Sequence, residues 1–337
     1  MTFWLLLHFA IAAAGTWLAR QYALRRELID HPGERRSHQV PTPRGGGIAI
    51  VLALLTAVLA LAWRQPQHIV LLGAFAVGLV LVGGIGLVDD HKPLPAWLRL
   101  LVQAVAALVL AAGVAGTWGD LRLAAAAFVA AMVLTNVWNF MDGINGLAAS
   151  QAALAAWALG SVAGGAWALL GLALVAACLG FLPFNFPRAR IFLGDVGSGA
   201  LGFTLAALFT AALAATAAAG PVRGVLLLLP LSAFLVDASL TLGRRIARRE
   251  RWWAPHTQHA YQRWAAAART HTPVTIAYAG WTAASCLLAG WLWSQRTGQG
   301  VFVVGWMALA TVAWGVLQYR NAVRQDSLAT TLEKDKE

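Results

Sequence analysis

Long apolar runs separated by short polar clusters repeat along the whole 337-residue chain. They fall at residues 3–19, 46–63, 69–88, 97–115, 122–138, 146–162, 166–184, 197–216, 222–242, 273–294 and 300–319. Each is roughly 17 to 22 residues long, the length an α-helix needs to cross the hydrocarbon core of a bilayer. The pattern predicts an all-α polytopic membrane protein with about eleven transmembrane helices, since helices satisfy their own backbone groups in lipid. Composition agrees: 59% hydrophobic and 12% charged residues lie far outside soluble norms. No repeat, low-complexity linker or soluble domain interrupts the pattern. Residues 1–320 read as one integral membrane domain, and residues 321–337 as a charged cytoplasmic tail expected to be disordered.

The net charge of +11 changes the picture through its placement. Numbered in order, the odd connections carry Arg25, Arg26, Arg35, Arg36 and Arg44, then Lys92, then Arg188 and Arg190, then a run from Arg244 to Arg269. The even connections carry Arg64, Arg223 and Arg296, with Arg122 nearby. The positive-inside rule then puts the odd connections and the C-terminus in the cytoplasm and the N-terminus outside. The basic excess is a topology and lipid-headgroup signal, and nucleic acid is not an expected partner. The first run lacks a basic flank before it and is followed by Arg20, Arg25 and Arg26, so it reads as an anchor that stays rather than a cleaved signal. Cys178 and Cys286 lie inside spans and read as packing residues.

The reactive residue types gather on the odd connections. In the first, Thr42-Pro43-Arg44-Gly45-Gly46-Gly47 forms a rigid entry to the second span, and Arg44 is either a phosphate-holding guanidinium or part of a topogenic loop. Asp89 and Asp90 end the third span, where adjacent carboxylates need a cation, with Lys92 and Arg99 as candidates. In the next cluster Asn136 and Asn139 share a helix face, and turns at Gly143 and Gly146 carry Asp142 and Asn145 to the same aqueous mouth.

The stretch Phe184–Gly202 holds Asn185, Arg188, Arg190 and Asp195 among glycines. Gly194, Gly197 and Gly199 would let backbone approach a ligand, with helix-start amides favouring an anion. Asp195 is then a ligand for a hard cation, or else the N-cap of the helix that follows. The longest connection carries His256, His259 and Arg263, read as phosphate or sugar contacts in preference to a metal site or a plain amphipathic surface. Asp237, within the ninth run, is either functional or paired with Arg244 or Arg245. Asp120 is the sole carboxylate of the outer loops.

Several carboxylates, amides, two histidines and many arginines on one membrane face suit a polyanion bridged by Mg²⁺. Phosphoryl transfer needs mainly such positioning and charge neutralisation, and a membrane site implies one lipid substrate and one nucleotide.

Asp89-Asp90, Asn139-Phe-Met-Asp142-Gly-Ile-Asn145-Gly, Phe192-Leu-Gly-Asp195-Val-Gly-Ser198 and His256-Thr-Gln-His259-Ala-Tyr-Gln-Arg263 together resemble the polyprenyl-phosphate N-acetylhexosamine-1-phosphate transferase family, glycosyltransferase family 4. The likeness spans about Asp30 to Arg263 and is most similar to the bacterial branch that starts O-antigen or capsule chains. It implies transfer of a sugar 1-phosphate from a UDP-N-acetylhexosamine to undecaprenyl phosphate with release of UMP, at the cytoplasmic face of the bacterial inner membrane. It implies Asp195 and Asn139 as ligands of Mg²⁺, or Mn²⁺ in its place, and Asp89 and Asp90 at the acceptor phosphate. Asp142, a third catalytic candidate, would face the nucleotide with Asn145. Arg44, Lys92, Asn185, His256, His259 and Arg263 would hold substrate. Asn145 stands where many bacterial members carry Asp. The partners implied are undecaprenyl phosphate, the UDP-sugar, membrane lipid and a second copy of the chain in a homodimer.

A transporter or lipid flippase is the reading from another class, and it would place polar groups at mid-bilayer in broken helices. A different Mg²⁺-dependent lipid phosphotransferase is the third, distinguished by its donor.

Overall fold

The computed structural model describes residues 1–31, 40–251, 254, 256–295 and 297–334. Pro32 to Gln39 of the first-loop motif, Pro255 and the topogenic Arg296 therefore lie outside the described residues. Thirteen helices run in the order α1 Thr2–Arg25, α2 Ile48–Arg64, α3 Ile69–His91, α4 Ala96–Trp118, α5 Leu121–Met141, α6 Leu147–Ala163, α7 Gly165–Asn185, α8 Gly194–Thr216, α9 Pro221–Leu226, α10 Ser232–Ala247, α11 Ala260–Ala268, α12 Thr272–Ser294 and α13 Gln299–Lys334. An antiparallel pair, β1 Ile29–Asp30 with β2 Thr42–Pro43, closes the first loop in the register Ile29 to Pro43 and Asp30 to Thr42.

Every expected apolar run falls on helix. Among the described residues nine helical segments are long and apolar enough to cross a membrane, while α2 and α6 are apolar helices of 17 residues. The chain is an all-α multi-pass membrane protein. Two runs differ from expectation. The ninth, 222–242, breaks into α9, a 3₁₀ turn at Leu229–Leu231 and α10, because Pro230 lacks the N–H that a continuous helix would use. The last continues as one 36-residue helix through the charged stretch to Lys334.

Turn chemistry fixes the joints between helices. Gly119 closes α4 at φ +68°, a left-handed geometry that glycine adopts without strain. Asp120 then caps α5, accepting the amides of Arg122 at 2.8 Å and Leu123 at 3.1 Å.

Helix α8 is the axis of the bundle, packed by α2, α3, α5 and α6, with 89% of its spanning window buried against 11% for α13. Among lipid-like surroundings van der Waals fit rather than water exclusion drives helix pairing, so small residues mark the contacts. Gly197 meets Gly47 and Gly202 meets the backbone of Leu134, approaches that any Cβ would prevent. The outer helices instead expose large apolar side chains, Phe3, Leu6 and Trp17 on α1 and Val301, Val304 and Val312 on α13, as a lipid-facing belt does.

Candidate active site

The C-terminal ends of α3 and α5, the starts of α4 and α8, Asp30 of β1, Arg44 before α2 and the entry to α11 surround one cavity of about 860 Å³. All five odd connections contribute to its wall, so the face shared by those loops is a single site. Five carboxylates line it, Asp30, Asp89, Asp90, Asp142 and Asp195, with the guanidiniums of Arg44 and Arg99.

Its base is set by two glycine-rich segments bonded to each other. Phe192 N–H donates to the Pro43 carbonyl at 2.8 Å, and Gly46 and Gly47 donate to the carbonyls of Phe192 and Leu193 at 2.9 and 2.8 Å. The glycines expected to let backbone approach a ligand first admit protein: a Cβ at Gly194 would lie 2.5 Å from Asp90 Oδ2, and one at Gly197 2.7 Å from the Gly47 Cα. Gly194, at φ +76°, turns the chain into α8. Asp195 lies in the first turn of α8 and caps nothing. The cap comes from α3, where Asp90, 3% exposed, accepts the amide of Asp195 at 3.0 Å and that of Val196 at 3.2 Å. An anion does sit on the helix start, and it is a side chain of this protein.

Beside it, Arg99 Nη1 spans two carboxylates, 3.1 Å from Asp89 Oδ2 and 2.8 Å from Asp195 Oδ2. Asp89 Oδ1 also accepts the Leu94 amide at 2.6 Å, which folds the α3–α4 turn. Asn139 donates Nδ2 to Asp195 Oδ1 and to Ser198 Oγ, each at 3.1 Å, leaving its own carbonyl oxygen as an acceptor. The cation beside Asp89 is therefore Arg99 and not Lys92, while Asp90 is held by backbone amides.

Asp142 stands beyond the end of α5, and its carboxylate lies far above the usual acid range, chiefly through burial and then through the charges of Asp195 and Asp90. On the opposite wall the rings of His256 and His259 stack with centroids 4.9 Å apart. Burial first, then the neighbouring His259 and Arg245, push His256 down to about 4, so its ring is neutral at neutral pH.

Residues 71–213 match the glycosyl transferase family 4 profile. The chain is 34% identical to a decaprenyl-phosphate N-acetylglucosaminephosphotransferase of Mycobacterium leprae, over 77% of this chain and 76% of that one. The chain belongs to glycosyl transferase family 4. It is also 32% identical to a phospho-N-acetylmuramoyl-pentapeptide-transferase of Heliobacterium modesticaldum, over 75% of this chain and 89% of that one. An undecaprenyl-phosphate alpha-N-acetylglucosaminyl 1-phosphate transferase of Yersinia pestis is 27% identical over 94% of this chain and 90% of its own length. These relatives are polyprenyl-phosphate N-acetylhexosamine-1-phosphate transferases, and transferase activity follows for this member of the family.

The donor set of this family 4 site fits a hard divalent cation. Asp142, Asp195, Asp89 and the Asn139 carbonyl are oxygen donors on one cavity, and among the described residues that line it carboxylates outnumber guanidiniums five to two, which leaves negative charge for a cation to offset. Among the described residues no three His, Cys, Asp or Glu side chains form a cage alone, so substrate or water oxygens would complete the shell, as Mg²⁺ usually has it.

Four expected substrate contacts lie elsewhere or are already committed. Lys92 is exposed and Arg263 is half-buried, and neither lines the cavity. Asn145 is not on the wall either: its Nδ2 donates to the Pro187 carbonyl at 3.1 Å and its carbonyl accepts Thr275 at 2.7 Å. Asn185 is on the wall, but it braces backbone, accepting from Gly146 N–H at 2.6 Å and donating to the Ile191 carbonyl at 2.9 Å. The sequence reading also missed Gln103, which lines the cavity and accepts Asn136 Nδ2 at 2.9 Å. A lone glutamine at helical spacing in an apolar run is its only trace.

Asp237 is not paired with Arg244 or Arg245. Arg245 binds Glu250 at 3.1 Å and the Arg251 carbonyl at 2.7 Å, while Asp237 faces the start of α11 and His259.

Proposed function

We propose that this chain transfers an N-acetylhexosamine 1-phosphate from a UDP-sugar to undecaprenyl phosphate at the cytoplasmic face of the bacterial inner membrane, with Mg²⁺ as cofactor. The product would be the lipid diphosphate sugar that starts an O-antigen or capsule chain. The observation that carries the reading is the convergence of Asp89, Asp90, Asp142 and Asp195 with Arg44 and Arg99 in one cavity at the ends of membrane helices. The relatives' named acceptors, decaprenyl and undecaprenyl phosphate, support the lipid half of the reaction.

In the proposed step an oxygen of the lipid phosphate attacks the β-phosphorus of the UDP-sugar. The bond from that phosphorus to the bridging oxygen breaks, and UMP leaves with the electron pair. A phosphate monoester has its second pKa near about 6, so the acceptor is largely dianionic at cytosolic pH and needs little help from a base. A bound Mg²⁺ would neutralise charge on the diphosphate oxygens. Asp142 and Asp195, with Asn139, are the residues offered to hold it. Arg44 and Arg99 supply the fixed cations for the remaining phosphate oxygens. Asp90 holds α8 in place, and Asp89 orients Arg99 and the acceptor. The competing route, a sugar phosphate carried covalently on Asp89 or Asp90, is disfavoured because the oxygens of both already accept backbone amides or Arg99.

A transporter reading gains nothing from the broken ninth segment. The break packs the buried Leu226 and Leu229, and the hydroxyl beside it, Ser232, is already bonded to Ser285 and Trp281.

The deciding experiment is UMP release from purified protein with undecaprenyl phosphate, Mg²⁺ and a panel of UDP-N-acetylhexosamines, run beside CDP-linked donors. Magnesium-dependent UMP release supports the reading, and the best donor names the sugar. Folded protein that binds undecaprenyl phosphate yet releases no UMP from any donor would favour a lipid carrier, and CMP release would favour another phosphotransferase.

A further inference from the structure

Asp237 is 2% exposed in a helix that the hydropathy pattern assigns to the membrane, and a bare carboxylate there would be expensive. Donors surround it. Oδ1 accepts the amide of Ala260 at 2.9 Å and the hydroxyl of Thr241 at 3.1 Å. Oδ2 accepts the amide of Tyr261 at 3.2 Å and the hydroxyl of Tyr278 at 2.7 Å. Those two amides are the first of α11, so a carboxylate on α10 determines where α11 begins.

The residue immediately before α11 is His259. Its Nδ1 points at Asp237, 3.6 Å from Oδ1 and without a close hydrogen bond, while the side chain also stands over the Gln262 amide in the capping box of α11. The same residue forms part of the cavity wall. With Nδ1 turned inward, Nε2 is the ring atom left for a ligand. The ring is held in place by Phe140 of α5, with centroids 6.3 Å apart, by His256 at 4.9 Å and by Tyr261 at 5.8 Å. The groups facing it are therefore Asp237 and Thr241 from α10, Tyr261 and Gln262 from α11, His256 from the preceding loop and, through Asp237, Tyr278 from α12.

A carboxylate kept only to cap α11 would need nothing from the histidine, because four donors already satisfy it. The arrangement matches a carboxylate that fixes the tautomer and orientation of an imidazole whose other nitrogen meets the substrate. We infer that Asp237 is a positioning residue of the transfer reaction, holding His259 with Nδ1 toward the carboxylate so that Nε2 is presented to the phosphates in the cavity. This rests on the transferase reading of that cavity.

The test is a double-mutant cycle of UMP release with Asp237→Asn and His259→Gln, joined to the nitrogen spectrum of ¹⁵N-histidine-labelled protein in which the His259 signal is identified by its loss in His259→Gln. Asp237→Asn is expected to lower kcat by about 10- to 100-fold in the wild-type background and by less than about 3-fold once His259 is Gln. Equal losses in both backgrounds would overturn the inference and leave Asp237 a cap. In the spectrum, neutral His259 is expected to carry its proton on Nδ1, and Asp237→Asn to move it. A tautomer indifferent to the substitution would also overturn the inference. Should Asp237→Asn not fold, Tyr278→Phe keeps the charge and both amide bonds. The same cycle then expects a loss of a few-fold that vanishes with His259→Gln, and additive losses would decide against it. A wild type that releases no UMP would count against the transferase reading alone, because the nitrogen spectrum still supports or overturns the placement of His259.

Discussion

Asp90 and Asp237 use one device in two electrostatic settings. Each is a buried aspartate on one helix that accepts two adjacent first-turn amides of another, Asp90 for α8 and Asp237 for α11. At α8 the neighbouring side chains are more carboxylates, Asp89 and Asp195, tied by a single guanidinium. At α11 the neighbours are His259, two tyrosines and a threonine. The first setting gathers negative charge that calls for a cation. The second surrounds one negative charge with donors and presents an imidazole. A helix N-terminus welcomes an anion in both cases, so what differs is the charge left over for a ligand.

The largest expected effect belongs to the α8 side. Asp195→Ala should reduce UMP release by about 1,000-fold or more and abolish its dependence on Mg²⁺, because it removes an oxygen donor at the centre of the carboxylate cluster. Its effect on thermal unfolding in detergent should be small, since the carboxylate is 30% exposed and its loss relieves repulsion. A large fall in unfolding temperature would mean that Asp195 acts as a brace like Asp90.

Asp90→Ala should show the reverse balance. Two backbone amides lose a charged acceptor, and at about 1.5–3 kcal/mol per such bond, less the relief of repulsion from Asp89, the net cost is about 2–3 kcal/mol of stability. The unfolding temperature should drop markedly in the same assay. Asp120→Ala offers the exposed control, a local cap worth about 1 kcal/mol.

Those three aspartates also show which parts of the molecule the sequence discloses. Asp120 caps its own helix directly after the glycine that ends α4, so its role is local and readable. Asp90 caps α8 through an amide 105 residues later, and no periodicity in either helix encodes that meeting. The membrane runs were legible because span length and apolarity are local properties. The common face of the odd connections was legible because arginine placement reports it. The partners within that face were not. Glycines at 194 and 197 announced close approach without saying to what, and the structure answers with the Asp90 carboxylate and the backbone of Gly47. Helix α11 escaped notice because its nine residues are amphipathic and short, and its start is determined from α10.

On the histidine side the comparison predicts acid sensitivity. His256 is held down at about 4 in the folded protein against 6.5 when free, so folding favours the neutral ring. That contribution is complete above about pH 6.5 and is lost as the pH falls toward about 4, where the unfolded chain binds a proton that the folded one resists. The unfolding temperature should therefore decline across this window. His256→Gln should flatten the decline by about 1 kcal/mol, a figure reduced from the full shift because the ring is only half-buried and partly screened. An unchanged slope in the variant would place the acid sensitivity elsewhere, with the carboxylate cluster as the next candidate.

The smallest effects test the boundary of the cavity itself. Lys92 follows Asp89 and Asp90 closely enough in sequence to look like their counterion, and Arg263 ends a motif whose two histidines both face the site. Yet α3 ends at His91, Lys92 continues in extended geometry and is exposed, and Arg99 takes the bridging position from the next helix. Arg263 keeps company with Arg244, Arg248 and Glu250, and burial together with those two arginines lowers its affinity for the proton. Exposed ion pairs contribute at most about 1 kcal/mol, and a cation outside the wall contributes nothing that depends on the transition state. Lys92→Ala and Arg263→Ala should therefore leave kcat/KM for the UDP-sugar within about 3-fold of wild type, while Arg99→Ala costs far more. A loss at Lys92 equal to that at Arg99 would mean that the acceptor phosphate binds at the outer lip of α3, beyond the carboxylates, and that α4 supplies a brace rather than a ligand.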